Sequence, residues 1–64
     1  MTKELANEAR KCRINNGKTL KDVANALGYT SENIRLFEIG RNNSATILLY
    51  YINEFGLEVR DNEC

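Results

Sequence analysis

The side chains best suited to covalent or metal chemistry in this chain are Cys12 and Cys64, which stand most of the sequence apart with no histidine anywhere. A thiolate nucleophile needs a base beside it, and a zinc site needs closely spaced Cys or His ligands. Neither set is present. Both cysteines are expected to stay reduced, since Cys12 falls within an apolar helical stripe and Cys64 is the last residue. No metal, cofactor or catalysis is expected, so the chain is not read as an enzyme.

Size points the same way. Sixty-four residues make one domain, and a domain of that size buries only about 60% of its extended surface, leaving little room for a deep substrate pocket. Charge interrupts Met1 to Asn16 every few residues, so no export signal or membrane span is expected there, and the expected location is cytoplasmic.

The chain is formally neutral, with nine Lys and Arg against nine Asp and Glu. The sum hides two unlike regions. Met1 to Asn53 holds eight basic and five acidic side chains, a net +3, whereas the last eleven residues hold Arg60 against Glu54, Glu58, Asp61 and Glu63, a net −3. A basic body is the usual electrostatic footprint of a nucleic-acid binder, and here a short acidic end masks it.

Gly17, Gly28, Gly40 and Gly56 each follow a segment of helical periodicity. They divide the chain into four helices. The first is expected from Thr2 to about Asn15, with Leu5, Ala9 and Cys12 on its inward stripe. The second, about Leu20 to Leu27, has Thr19 as N-cap and Asp22 close to a capping box, with Val23, Ala24 and Leu27 buried. The third starts after Thr30 or Ser31 and turns Ile34, Phe37 and the aliphatic edge of Glu38 inward. The fourth, about Ala45 to Phe55 behind Ser44, lines up Leu48, Tyr51, Ile52 and Phe55, and Gly56-Leu57 closes it. No strand pattern competes, so the expected class is all-α, a compact four- to five-helix bundle.

Between the second and third helices the spacing becomes specific. Ala24 lets two helices cross closely, Gly28 permits a left-handed turn, and Ile34 and Phe37 seat the next helix on the core. These are the parts of a helix-turn-helix, whose second helix lies in the major groove of DNA. The ordered set Arg13 to Thr19, Val23-Ala24, Leu27-Gly28, Ile34, Phe37-Glu38, Gly40-Arg41, Leu48, Tyr51-Ile52 and Phe55-Gly56 resembles the lambda-repressor-like, or Cro/Xre-type, helix-turn-helix family. The resemblance runs without a gap from about Leu5 to Leu57.

The resemblance implies a helix-turn-helix domain over residues 1–57, followed by a short acidic tail over residues 58–64. It implies a largely buried ion pair between Arg13 and Glu38. It also implies double-stranded DNA as partner, read by the third helix: Ser31, Glu32, Asn33 and Leu36 would meet base edges. Asn33 suits adenine, Glu32 suits the N4 amino group of cytosine, Ser31 suits a base or a phosphate, and Leu36 suits a thymine methyl. Lys18, Thr19, Lys21, Arg35, Arg41 and Asn42 would hold phosphates near the helix N-termini. The expected role is a transcriptional regulator, a repressor of phage or mobile-element type.

Family members of this kind usually act as dimers. A weak homodimer is expected, formed by this domain alone, with Ile47, Leu49 and Tyr50 as candidate contacts. An alternative comes from two departures. The family usually opens its second helix with Gln, where this chain has Leu20, and has a polar residue where this chain has Ile39. With Tyr29 and Leu36 these would form an apolar surface, and the domain would then be a repressor-fold module binding another protein through Leu20, Leu36 and Ile39.

Overall fold

Each helix opens on a hydroxyl side chain that accepts a hydrogen bond from an otherwise orphaned backbone N–H three residues on. The four caps are Thr2 to Leu5 at 3.1 Å, Thr19 to Asp22 at 3.1 Å, Thr30 to Asn33 at 3.2 Å and Ser44 to Ile47 at 3.3 Å. In the computed structural model, which describes residues 2–59, they begin α1 (Lys3–Asn15), α2 (Leu20–Leu27), α3 (Ser31–Glu38) and α4 (Ala45–Phe55). Cys64 and the tail charges Arg60, Asp61 and Glu63 lie outside the described residues. Among those residues there are four helices, no fifth, and no strand.

The helix ends follow from glycine where a side chain would be strained. Gly28, at φ 75° and ψ 25°, turns the chain out of α2, and only Tyr29 and Thr30 separate it from α3. Gly40, at φ 84°, ends α3 in a Schellman motif, with Arg41 N–H donating to the Leu36 carbonyl and Gly40 N–H to that of Phe37. A Cβ on Gly40 would lie 3.6 Å from Lys3 Cγ and 3.9 Å from Ala6 Cβ. The end of α3 therefore rests on the start of α1.

Around this frame α3 packs against both α2 and α1, and α1 also packs against α4. The core gathers Ala9, Val23, Ala24, Ile34, Phe37, Ile47, Tyr51 and Leu57. Tyr51 is its aromatic centre, with ring centroids 5.2 Å from Phe37 and 5.1 Å from Phe55. The Cα radius of gyration is 10.8 Å, against about 10.7 Å expected for a compact chain of this length. No helix among the described residues is long and apolar enough to cross a membrane.

Three inward faces differ from the expected ones. On α1 the fully buried positions are Ala6, Ala9 and Arg13, while Leu5 and Cys12 are half-buried; the stripe is rotated toward the arginine because its charge has a buried partner. On α2, Leu27 is half-buried beside the fully enclosed Val23 and Ala24. On α4, Ile47 is wholly enclosed together with Tyr51, and Leu48, Ile52 and Phe55 flank them. Ile47 thus belongs to the core and is unavailable for a dimer contact; Tyr50 is half-buried against the core, and Leu49 is the one of the three that points outward.

Candidate nucleic-acid interface

The position of α3 is fixed from behind by a charged network. Arg13 Nε donates to Glu38 Oε2 at 2.7 Å and Nη2 to Oε1 at 3.1 Å, a fork of two parallel bonds. Its third nitrogen, Nη1, donates to the Lys18 carbonyl at 2.8 Å, and the Tyr51 hydroxyl donates to Glu38 Oε2. The guanidinium and the carboxylate are both buried. Hydrogen bonding to Glu38 raises the Arg13 pKa further, while burial, and then the carboxylate beside it, pushes the Tyr51 phenol far above its ordinary value. Tyr51 therefore remains a donor.

With Ile34, Phe37 and Glu38 facing the core, helical geometry turns Glu32, Arg35 and Leu36 to the opposite side. Ser31, Glu32, Asn33 and Arg35 are exposed, and Leu36 is half-buried. Five polar or apolar candidates thus share one eight-residue helix. Glu32 and Arg35, however, are already joined: Nε to Oε1 at 3.0 Å and Nη2 to Oε2 at 2.5 Å. This bond holds the Glu32 carboxyl below its usual range and raises the Arg35 pKa. Glu32 therefore carries its own counter-charge.

The expected phosphate contacts separate into two kinds. Lys18, Lys21 and Arg41 are exposed, and among the described residues no close ion pair engages them, although Lys18 and Lys21 both act on the nearby Asp22 carboxylate. Thr19 and Asn42 are committed locally. The Thr19 hydroxyl oxygen caps α2 while its N–H donates to Asp22 Oδ2 at 3.0 Å, which completes a capping box. That backbone donation, with the Thr19 side chain second, holds the Asp22 carboxyl below its usual range. A carboxylate therefore occupies the positive end of α2, where a phosphate was expected to dock. Asn42 Nδ2 makes a long contact, 3.5 Å, to the Asn33 carbonyl, folding the loop after α3 back along the helix.

The apolar face of the alternative reading is less open than expected. Leu20 packs against the core margin, and Ile39, 40% exposed, lies in a shallow depression with Lys3, Glu4 and Asn7 at the start of α1. Two features escaped the sequence reading. The Tyr51 hydroxyl looked like an incidental part of an apolar stripe, although a buried phenol needs an acceptor and so signals one. The Glu32–Arg35 spacing of three was visible as a helix-surface pair. Compared with protein-family models, with curated proteins and with solved structures, the chain matches none.

Proposed function

We propose that this chain is a lambda-repressor-like helix-turn-helix domain that binds double-stranded DNA sequence-specifically, reads the major groove with α3 and regulates transcription by occupying its site. The observation that carries this reading is the arrangement of α3. A three-residue turn joins it to α2, its inner face is locked through Arg13–Glu38–Tyr51, and its outer face presents Ser31, Glu32, Asn33, Arg35 and Leu36. A rigidly held helix with mixed donors and acceptors outward suits base-edge readout.

Lys18, Lys21 and Arg41 supply the surrounding positive charge. If these three cations each neutralise one phosphate, log affinity falls against log salt with a slope of about −2.7. Binding as a weak homodimer would place two α3 helices about 34 Å apart, one turn of duplex. Leu49, 56% exposed, is the outward apolar residue left on α4 for that contact.

The test is titration of mixed-sequence duplex at about 50 mM salt and above, with a Ser31→Ala/Glu32→Ala/Arg35→Ala variant beside the wild type. Salt-sensitive binding that the variant weakens supports the proposal. Absence of wild-type binding at the lowest salt rejects it and turns the search to protein partners of the face formed by Leu20, Leu36 and Ile39.

A further inference from the structure

The Glu32–Arg35 fork changes what the reading helix can recognise. Both side chains are at least half exposed, and a single exposed pair contributes little to stability. Its geometry matters more than its strength. Two parallel bonds fix the plane of the carboxylate relative to α3, and each carboxylate oxygen keeps an acceptor direction that the guanidinium does not fill. Entering a groove displaces water and surrounds the helix with phosphates. An unpaired Glu32 would be repelled there, whereas the paired carboxylate enters with its charge balanced and its remaining acceptors aimed.

A carboxylate can only accept, and this selects among base edges. Guanine presents N7 and O6 acceptors, thymine presents O4, and adenine presents its N6 donor beside the N7 acceptor; cytosine presents the N4 amino group without an adjacent acceptor on its own ring. We infer that Arg35 is a positioning residue that holds Glu32 for recognition of cytosine, and not a phosphate clamp. This rests on the DNA-binding reading above and names the base chemistry of that same site.

The experiment selects sites for the full chain from a randomised duplex library. Binding is then measured by fluorescence anisotropy on the selected duplex and on versions changed at each C·G pair. The expected result is a C·G pair worth about tenfold in affinity, a preference lost in both Glu32→Ala and Arg35→Ala and no weaker in the double variant than in either single one. Glu32→Gln should move that preference toward A·T. The salt slope of Arg35→Ala should match the wild type.

A slope shallower by about 0.9 in Arg35→Ala marks a lost phosphate contact and overturns the inference, whatever happens to base preference. So does a selected site whose C·G preference ignores Glu32. In both cases DNA binding itself stands. Failure of the wild type to bind any duplex at about 50 mM salt overturns the inference and the DNA reading together. Far-UV circular dichroism of each variant confirms that the helices are retained.

Discussion

Replacing Glu38 with alanine removes the acceptor of three donors at once: two from Arg13 and one from Tyr51. Arg13 keeps its bond to the Lys18 carbonyl, but its charge is left buried without a counter-ion. Removing one partner of a buried pair costs about 3–5 kcal/mol, and an orphaned hydroxyl adds on the order of 1 kcal/mol or more. A 64-residue domain has only roughly 3–10 kcal/mol of stability in all. The loss is thus comparable to the whole, and 3 kcal/mol alone corresponds to a Tm lower by about 12–24 °C. Thermal unfolding followed by circular dichroism measures it. The reasoning has a stricter second arm, because removing all the polar groups together leaves no orphan: Arg13→Met/Glu38→Leu/Tyr51→Phe should regain most of the lost Tm. A Glu38→Ala domain melting within about 5 °C of wild type, or a triple variant no better than the single one, would refute it.

Tyr51 makes a prediction at alkaline pH. Its folded pKa is raised above the unfolded value of 10.0, so the folded state keeps the proton longer. The resulting stability is complete below pH 10.0 and declines above it, by up to about 1.4 kcal/mol per pH unit; urea midpoints from pH 9 upward should fall more steeply for wild type than for Tyr51→Phe. Thr19→Ala removes the α2 cap and should cost about 1 kcal/mol in chemical denaturation, with an unchanged m-value. Gly28→Ala meets no atom within 4 Å, so its cost should be the backbone strain alone, about 1–2 kcal/mol. In DNA titrations Arg41→Ala should make the salt slope shallower by about 0.9, and an unchanged slope removes it from the phosphate contacts.

The helices were legible because hydroxyl caps and glycine stops are local signals, and Thr19-Asp22, Ser44 and Gly56 act within a few residues of where they stand. Burial was legible only where periodicity and packing agree, as at Val23, Ala24, Ile34 and Phe37. Arg13 breaks the hydrophobic pattern of α1 because its partner lies twenty-five positions on, a distance that no helical period encodes; family resemblance supplied that pairing. Ile47 was misplaced because both faces of α4 are apolar, and a two-sided stripe does not state which side faces the core. The outer face of α3 followed from the inner one, but side-chain pairing within it depended on rotamers, which spacing constrains without selecting.

The guanidinium of Arg13 touches α3 directly, the segment between α1 and α2 through the Lys18 carbonyl, and α4 through the shared carboxylate and Tyr51. No form lacking α1, α3 or α4 can bury this centre satisfactorily, since omitting any one of the three leaves a charge or a donor unmatched. Partly assembled forms are therefore penalised in proportion to what they lack, and the domain should fold and unfold as a single cooperative unit. Because the centre cannot close without Tyr51, the face of α3 should become rigid only once nearly the whole domain is free to assemble.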